Sequence, residues 1–337
     1  MYNLDFNELR YIVNKNYKLD VKYIKKIGKP DKSTLNCKII DSSGRCYFLK
    51  RKPIYLSEEE FNETLRIQVY LLKNGIKVPY IYKDTEHDKL YVKYQENIFT
   101  LHEWILGSTH TGGWSQKDLT NIIVVMTKCA RILSTYKPGD MHVPGNRIND
   151  LLDVSQESIY YLCDQIELFI KDPKLKNFVI QLKKDLLNLY LTINWEELNK
   201  TWIHGDYSLN NIIFVSKNQC VPIDFDDSHW NFRICDIIST AIINSMWSTH
   251  YYIVRPKLKG EYISELKKYI DIYNIYYPFN SEETKSIPYV VIMMFLRAMI
   301  VNNYLNDREN MPQFINVRVV EKQVEFLRFF YNDLLSI

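Results

Sequence analysis

The amino-acid sequence predicts an α+β protein with a small β-rich lobe at residues 1–105 and a larger helical lobe at residues 106–337. Short segments of alternating apolar and polar residues, separated by turn residues, dominate the first part of the chain. Longer segments whose apolar residues recur at helical spacing dominate the second part. A chain of 337 residues is long enough for two lobes that each bury a hydrophobic core.

The composition is that of a soluble globular protein, with 46% hydrophobic and 25% charged residues. A net charge of +3 is too close to neutral to indicate nucleic acid or an anionic membrane as the main partner. The six cysteines form no C-x-x-C pair and no apolar secretory segment precedes them, so we expect reduced thiols in a cytoplasmic protein. The most apolar run, 289–301, contains Arg297 and is too short for a bilayer, so it is predicted to be a buried helix.

The N-terminal lobe is predicted to begin with a helix and to continue as strands that one further helix interrupts. Side chains alternate in the third strand, so Phe48 and Lys50 share one face while Leu49 and Arg51 share the other. Ser57 is a typical N-cap, and the acidic residues after it favour the start of a helix. The predicted elements are a helix at 5–17, strands at 21–27, 36–40 and 46–51, a helix at 57–72 and strands at 78–82, 90–94 and 98–105.

The C-terminal lobe is predicted to be helical on both sides of a β-hairpin. Apolar runs at 212–215 and 221–223 flank a polar turn, which is the pattern of two antiparallel strands. The predicted helices cover residues 119–136, 151–172, 175–191, 237–249, 262–273, 282–305 and 317–334.

Polar side chains lie at the outer ends of this hairpin. Asp206 and Asn211 precede its first strand, and Asp224 directly follows its second strand. Because the strands are antiparallel, we expect these three residues to lie at one end of the hairpin. Carboxylate and amide oxygens suit Mg²⁺, which keeps part of its water shell and binds substrate phosphates. An additional aspartate beside the metal could orient an attacking hydroxyl group.

The residues around the hairpin also match a known pair of motifs. The segment from His204 to Asn211 has the form H-x-D-x-x-x-x-N, and Ile223-Asp224-Phe225 follows it as I-D-F. This pair resembles that of the aminoglycoside phosphotransferase and choline kinase family, with some likeness to spore-coat kinase-like members. The alternative is a polar hairpin whose Asp and Asn residues only cap turns, but four matching positions favour the family. The resemblance implies a two-lobed protein-kinase-like fold.

The resemblance implies a role for each residue of the motifs. Asp206 would be the catalytic residue and would accept a hydrogen bond from the acceptor hydroxyl. Asn211 and Asp224 would be the metal ligands, with Mg²⁺ as the cofactor. Lys50 would hold the α- and β-phosphates of the nucleotide, and Phe48 would lie against the adenine.

The same resemblance implies further nucleotide-binding residues. Glu63, with Glu60 as the alternative, would pair with Lys50 from the helix that follows Ser57. The segment containing Glu103 and Ile105 resembles the family's hinge, whose main chain hydrogen-bonds the adenine edge.

The loop between the first two strands would lie over the nucleotide phosphates in this family. Ser33 and Thr34 would offer main-chain N–H groups to phosphate, next to the conformationally free Gly28. The loop has no G-x-G-x-x-G pattern, so a plain polar turn is an equally good interpretation.

Two departures distinguish the chain from a regulated protein kinase. Gly205 and Ser208 stand where such kinases often have Arg and Lys. Only 11 residues separate Asp224 from Asp236, which leaves no room for a long activation segment. A small-molecule acceptor is therefore favoured. In the family, an aspartate at position 236 ties down the catalytic loop.

The sequence therefore predicts an enzyme, an ATP- or GTP-dependent kinase that moves the γ-phosphate to a hydroxyl of a small molecule. The resemblance implies an aminoglycoside-like or amino-alcohol acceptor, and the near-neutral charge predicts no nucleic-acid or membrane partner. The alternatives are a spore-coat-type protein with a structural or binding role and a compact bacterial protein kinase. Asp226 and Asp227 would support the metal ligands, line the site of a cationic acceptor or be solvated. Acidic and aromatic residues after Asp236 suit an amine-bearing acceptor: Trp247, Tyr251, Tyr252, Tyr262, Glu261 and Glu265.

Overall fold

A computed structural model describes residues 5–28, 35–109, 114–137, 154–247, 259–305 and 317–335. Ser33, Thr34, Tyr251 and Tyr252, and the side chain of Trp247, lie outside the described residues. The helices are α1 (Phe6–Tyr17), α2 (Glu58–Lys73), α3 (Gln116–Leu133), α4 (Gln156–Leu168), α5 (Pro173–Thr192), α6 (Arg233–Ala241), α7 (Lys259–Tyr276), α8 (Ser281–Leu305) and α9 (Val317–Leu334). The strands are β1 (Val21–Ile27), β2 (Asn36–Asp41), β3 (Cys46–Arg51), β4 (Ile81–Tyr82), β5 (Val92–Tyr94), β6 (Asn97–Glu103), β7 (Lys200–Ile203), β8 (Ile212–Ser216), β9 (Gln219–Pro222) and β10 (His229–Phe232).

These elements form two compact units. The first unit comprises the described parts of Met1–Thr109, Thr135–Pro138 and Asn210–Ser228. It therefore contains the β8–β9 hairpin, although the hairpin lies far along the chain from the other strands of this unit. The second unit comprises the described parts of His110–Ser134, Gly139–Leu209 and His229–Ile337, and it holds α3 to α9 with the short β7–β10 pair.

The sheet of the first unit has the strand order β1-β2-β3-β6-β4, with β5 paired to β6, and all these pairs are antiparallel. Phe48 lies opposite His102, and Lys50 lies opposite Thr100. Directly opposite residues share a face of the sheet, so these four side chains share one face. The alternate residues of β3 and β6, such as Leu49, are buried on the other face in a core with α1.

Helix α2 is fixed at its start by its N-cap and along its length by packing. The Ser57 hydroxyl accepts the N–H of Glu60, and the Glu60 carboxylate accepts the N–H of Ser57, which together form a capping box. Phe61 and Leu65, one turn apart, pack in a buried cluster with Ile81 of β4. This packing turns one face of α2 towards the sheet.

In the second unit, a buried ion pair joins α6 to α8. The guanidinium of Arg233 binds the carboxylate of Glu283 through two hydrogen bonds, at 2.7 and 2.5 Å, and both side chains are at most 3% exposed. The guanidinium also donates to the main-chain oxygen of Pro278 at 2.7 Å and lies 3.8 Å from the ring centroid of Tyr277. These contacts satisfy the buried charge and fix the first turn of α6.

The predicted α+β class is confirmed, with a β-rich N-terminal region and a helical C-terminal region. The predicted strand at 78–82 is shorter and covers only Ile81–Tyr82, in keeping with Pro79, which has no N–H for a sheet. The pairing of β7 with β10 is absent from the prediction, because both strands have only four residues. Within the described residues, no helix has the length and apolar character needed to span a membrane.

Candidate active site

A cavity of about 460 Å³ lies in the first unit, on the polar face of its sheet. The sheet contributes Phe48, Lys50 and His102, and α2 contributes Thr64 and Gln68. The end of β6 and the segment after it contribute Glu103, Trp104 and Ile105. The β8–β9 hairpin and the residues that flank it contribute Asn211, Ile213, Ile223, Asp224 and Asp226. The structure thus brings together six residues that the sequence analysis assigned to nucleotide or metal: Phe48, Lys50, Glu103, Ile105, Asn211 and Asp224.

Lys50 is the cation of this cavity and is only 6% exposed. Its ammonium donates to the carboxylate of Asp224 and lies 2.7 Å from Oδ2 of Asp226. Burial lowers the pKa of Lys50, but the charges of Asp224 and Asp226 outweigh burial, so the net shift of the pKa is upwards. Lys50 therefore carries a full positive charge at neutral pH.

The pKa of Asp226 is shifted away from the ionised form. Burial and the charge of the neighbouring Asp224 raise the pKa of Asp226, and the charge of Lys50 only partly offsets this increase. This carboxylate therefore depends on Lys50 to stay ionised, and the two side chains form one charge cluster with Asp224.

The ends of the β8–β9 hairpin hold Asn211 and Asp224 at the same end of the cavity. The N–H of Ile223 donates to the main-chain oxygen of Asn211 at 2.9 Å, which fixes the distance between the two ends. Asp224 itself has a φ of 65°, in the left-handed region that few residues other than glycine adopt. Such backbone conformations are found preferentially at functional sites.

The structure differs from the predicted pairing of Lys50 with Glu63. Glu63 is 1% exposed, and its carboxylate accepts hydrogen bonds from the hydroxyl of Tyr136 at 2.6 Å and from Arg66 at 3.4 Å. The alternative, Glu60, closes the capping box of α2. The reason is the rotation of the helix: the face of α2 that lines the cavity carries Thr64 and Gln68, and Glu63 lies on the side of Tyr136.

The end of β6 and the segment after it present main-chain groups at the cavity. The N–H of Glu103 donates to the main-chain oxygen of Tyr80 at 2.7 Å. Ile105 is buried, and its N–H donates to no other residue of the described parts of the chain. A buried main-chain donor at a cavity wall is a binding group for a ligand acceptor, because an unpaired N–H is costly to bury.

Gly107 allows this segment to approach the hairpin closely. Ser108 and Phe214 exchange two main-chain hydrogen bonds, at 3.1 and 2.9 Å. A Cβ atom on Gly107 would lie 2.5 Å from the main-chain oxygen of Phe214, so a side chain cannot be accommodated there. The contact positions the hairpin residue Ile213 in the cavity wall.

In the second unit, the His204-Gly205-Asp206 loop follows β7 and has a fixed main chain. The carboxylate of Asp236 accepts the N–H groups of His204 and Gly205 at 3.2 and 3.0 Å, which confirms its predicted anchoring role. Nδ1 of His204 accepts the N–H of Asp206 at 3.2 Å. Gly205 has a φ of 83°, which explains why a glycine occupies the middle of this motif.

Two further contacts hold the residue after Asp206. The ring of Tyr207 stacks on His204, with ring centroids 4.3 Å apart, and Tyr207 is 1% exposed. The side-chain amide of Asn244 donates to the main-chain oxygen of Tyr207 at 2.8 Å. Asn244 belongs to a π-helical turn, Ile242–Trp247, which continues α6. Asp206 is thus carried by a loop in which His204 and Tyr207 are buried and hydrogen-bonded.

Asp236 combines burial with two main-chain donors. Burial raises the pKa of Asp236 to about 6, although the N–H groups of Gly205 and His204 favour the ionised form. The anchor of the loop is therefore a carboxylate that titrates close to neutral pH.

The donor set of the cavity suits a cation bound mainly by phosphates. Among the described residues there is no group of three or more His, Cys, Asp or Glu arranged to hold a metal ion. Mg²⁺ in nucleotide sites needs only one or two carboxylates beside phosphate and water oxygens. The carboxylate of Asp224 and the amide oxygen of Asn211, which line the same cavity, fit that requirement.

The aromatic wall predicted for an acceptor is wrong where the structure describes it. Tyr262 is 5% exposed and packs edge-on against Phe326, with ring centroids 4.8 Å apart, so it belongs to the core of the second unit. Glu265 forms an ion pair with Lys268 on its own helix. Aromatic residues at helical spacing are usually core residues, and this one follows the rule.

Six polar residues of the cavity were not found by sequence reasoning, or were left without a role: Asn36, Thr64, Gln68, His102, Asn210 and Asp226. His102 lies opposite Phe48 across the β3–β6 pair, and this register is set by tertiary pairing. The alternation of β6 alone could have placed His102 and Thr100 on one face, but nothing in the sequence says which face.

Comparison with known proteins gives a family and a fold. The model of the phosphotransferase enzyme family matches residues 28–261, more than half of the chain. No curated protein matches the sequence. Among solved structures, the chain is similar to amicoumacin kinase hAmiN in complex with AMP-PNP, Ca²⁺ and Ami, with a TM-score of 0.67 and 14% identity over 99% of this chain and 94% of that one.

Two other solved structures are similar over almost their full lengths. One is an aminoglycoside phosphotransferase from Alicyclobacillus acidocaldarius, with a TM-score of 0.63 and 13% identity over 100% of this chain and 97% of that one. The other is a microcompartment-associated aminopropanol kinase, with a TM-score of 0.64 and 13% identity over 98% of each chain. These similarities confirm the predicted kinase-like fold. The chain therefore belongs to the phosphotransferase enzyme family.

Proposed function

We propose that the protein transfers the γ-phosphate of ATP to a hydroxyl group of a small, amine-bearing molecule. The observation that carries the proposal is the cavity of the first unit, which combines Lys50, Asn211 and Asp224 with the main-chain N–H of Ile105, a group that donates to no other described residue. One cation, two oxygen ligands and a main-chain donor are the groups that a nucleotide triphosphate with Mg²⁺ requires.

In this proposal the first unit binds the nucleotide. Residues 1–105 supply most of the contacts: Lys50 binds the α- and β-phosphates, and the ring of Phe48 lies against the base. Asp226, 2.7 Å from Lys50, keeps the ammonium in place. Asn211 and Asp224 hold Mg²⁺, which when bound neutralises charge on the phosphate oxygens.

Residues 106–337 carry the catalytic loop and the acceptor pocket in this proposal. Asp206 accepts a hydrogen bond from the acceptor hydroxyl, orients its oxygen towards the γ-phosphorus and takes its proton as the new P–O bond forms. The phosphate leaves the nucleotide as the bond between the γ-phosphorus and the bridging oxygen breaks, with ADP as the second product. Asp236 supports this role because it fixes the main chain of the loop.

The acceptor class rests on the relatives and on charge. The names of the similar structures include an aminoglycoside phosphotransferase and an aminopropanol kinase, and both names describe alcohols that also carry an amine. Asp227 adds negative charge beside the metal-binding residues of the proposal, whereas the charge of Asp226 is paired with Lys50. All six cysteines are free thiols in the structure, which agrees with a reaction in the cytoplasm.

The proposal is tested by a screen of phosphate transfer. Amino sugars, amino alcohols and neutral sugars of matched size are each incubated with ATP, Mg²⁺ and the protein, and phosphomonoesters are detected by ³¹P NMR. We expect one or more amine-bearing alcohols to be phosphorylated with one ADP per ester, and kcat/KM to fall as salt rises because salt screens the charge of the acceptor.

Three results would contradict the proposal. If the best acceptor were neutral or acidic, the proposed class of amine-bearing acceptors would be wrong. Binding of ATP without transfer to any acceptor or to water would favour a binding or structural role, as in the spore-coat-type alternative. Transfer to peptides in preference to small molecules would favour a protein kinase.

A further inference from the structure

Helix α6 and the turn that continues it contact the loop that carries Asp206 at two places, and the sequence predicts only the first. In the first turn of the helix, the carboxylate of Asp236 accepts the N–H of Gly205 at 3.0 Å. Eight residues later, Nδ2 of Asn244 donates to the main-chain oxygen of Tyr207 at 2.8 Å. Asp206 lies between the two loop residues that these side chains hold.

The orientation of the Asn244 amide follows from its two acceptors. The same Nδ2 also donates to the main-chain oxygen of Thr240 at 2.9 Å, so the amino group faces two carbonyl oxygens. A rotated amide would place Oδ1 against both of these acceptors, which excludes that orientation. Asn244 is 8% exposed, and its Oδ1 is buried without a hydrogen-bond donor among the described residues. The side chain therefore serves only as a donor.

The π-helical turn Ile242–Trp247 explains how Asn244 reaches the loop. Hydrogen bonds from i to i+5 take one more residue per turn than those of an α-helix. In a regular α-helix, a residue eight positions after Asp236 would be rotated from it by about 80°. The extra residue of the π turn reduces this rotation, so Asn244 faces the same loop as Asp236.

The spacing of the two contacts matches the length of the loop segment between them. Two turns of helix rise about 11 Å. Three residues of extended chain, such as Gly205 to Tyr207, span about 10 Å. The segment therefore fits along α6 and its π turn, with an N–H held at one end and a carbonyl held at the other. The main chain of Asp206 is fixed from both sides.

The arrangement of Asn244 is unfavourable for stability in two respects. A buried acceptor without a donor loses its hydration and receives nothing in return. A π-helical turn is rare, and such turns occur frequently at functional sites. Local features that cost stability are expected where a side chain has a functional role.

We propose that Asn244 is a positioning residue for phosphate transfer. It fixes the main chain after Asp206 and thereby holds this carboxylate in the orientation that receives the proton of the acceptor hydroxyl. The inference rests on the proposed function, because it assumes that Asp206 is the catalytic residue. Asn244 acts through Asp206 and contacts neither nucleotide nor acceptor. A displacement of a catalytic group by about 1 Å lowers the rate by up to about 10²-fold.

The test compares Asn244→Leu with a matched control, Thr240→Val. Leucine is similar in size to asparagine but donates no hydrogen bond, and it removes the unpaired Oδ1. The control removes the hydrogen bond from the Thr240 hydroxyl to the main-chain oxygen of Asp236, at 2.7 Å, and keeps the carbonyl that accepts from Asn244. Both residues are buried.

Four quantities are measured for the wild type and both variants. They are kcat with ATP and the best alcohol from the phosphate-transfer screen, the Kd of AMP-PNP, the melting temperature, and hydrogen exchange of a peptide that contains residues 204–207. We expect Asn244→Leu to lower kcat by about tenfold and to leave the Kd of AMP-PNP within about twofold. Its loop should exchange faster, because one end of the segment is released.

The melting temperature separates positioning from general stability. In Asn244→Leu the loss of two hydrogen bonds is offset by removal of the unpaired acceptor, so the melting temperature should stay within about 3 °C of the wild type. Thr240→Val should keep kcat within about twofold and leave loop exchange unchanged, since it touches no residue of the loop.

A double-mutant cycle tests whether Asn244 acts through Asp206. In the Asp206→Asn background, Asn244→Leu should lower the remaining kcat by less than about twofold, because the carboxylate that it positions is already absent. Asn244→Ala, which also lacks the donor, takes its place in the cycle if the leucine variant does not fold.

Several outcomes would overturn the inference. They are a wild-type kcat or wild-type loop exchange in Asn244→Leu, the same fold loss of kcat with and without Asp206, and an equal loss of kcat in Thr240→Val. A loss of kcat that a parallel fall in melting temperature accompanies would show a structural role only. If Asp206→Asn itself keeps the wild-type rate, the assignment of Asp206 in the proposed function is wrong, and with it the inference.

Discussion

The ammonium of Lys50 lies 2.7 Å from the carboxylate of Asp226, and both residues are buried. The sequence predicts a glutamate of α2 as the partner of this lysine, but in the structure that glutamate, Glu63, binds Tyr136. The turn Phe225–Asp227, directly after the metal-binding Asp224 of the proposal, therefore positions the lysine. Asp224, the proposed metal ligand, and Asp226, the partner of Lys50, thus lie in one short segment.

The first prediction compares the two carboxylates as partners of Lys50. Asp226→Asn should lower kcat/KM for ATP by about tenfold or more, because it removes a buried charge that holds the ammonium. Glu63→Gln should change kcat/KM by less than about threefold and should instead lower the melting temperature, since it weakens the hydrogen bond from Tyr136. Steady-state kinetics and thermal unfolding of both variants test this; a larger kinetic effect of Glu63→Gln would restore the pairing predicted from the sequence.

The second prediction concerns the metal. Asp224→Asn should weaken the binding of AMP-PNP much more in the presence of Mg²⁺ than in EDTA, because the carboxylate acts through the metal. In EDTA the substitution removes a negative charge near the phosphates, so affinity should stay equal or rise. Calorimetric titrations with and without Mg²⁺ measure both effects. If the affinity for AMP-PNP fell equally in Mg²⁺ and in EDTA, Asp224 would not be a metal ligand.

The third prediction is a pH dependence of stability at Asp236. Burial raises its pKa from 3.8 to about 6, so the folded protein binds this proton more tightly than the unfolded chain does. The stabilisation is complete below the unfolded pKa and is lost as pH rises through the folded pKa. Asp236→Asn cannot titrate, so the difference in unfolding free energy, wild type minus variant, should fall by up to about 3 kcal/mol between acidic and neutral pH.

Urea unfolding of both proteins at several pH values between 4 and 7 measures this difference. A difference that stays constant or grows with pH would show that the pKa of Asp236 is not raised. At neutral pH the carboxylate of Asp236 is ionised and anchors the catalytic loop. Burial destabilises this ionised form relative to the protonated form.

Sequence reasoning was most successful where spacing along the chain decides the outcome. The alternation of β3 put Phe48 and Lys50 on one face, and both line the cavity. The hairpin spacing put Asn211 and Asp224 at one end, and the bond from Ile223 to Asn211 shows why. These relations depend on neighbours within a few residues and on strand geometry alone.

The errors and omissions depend on contacts between distant segments. Glu63 and Thr64 are adjacent residues of α2, and their side chains point in different directions. Only the packing of α2 on β4 decides which of the two side chains reaches the cavity. Tyr262 fits an acceptor wall as well as a core until its contact with Phe326 is known. His102 requires the register between β3 and β6, which the sequence does not contain.

The most direct test of the account compares wild-type protein with Asp206→Asn in the rate of phosphate transfer to the best acceptor, with AMP-PNP affinity measured on the same samples. The Asn side chain keeps the size of Asp206 but cannot take a proton, and the proposal gives Asp206 no contact with the nucleotide. We predict a loss of turnover of about 10²-fold or more, with nucleotide affinity unchanged within about threefold. A loss of less than about tenfold, equivalent to about 1.4 kcal/mol of barrier, would contradict the assignment of Asp206 as the catalytic residue.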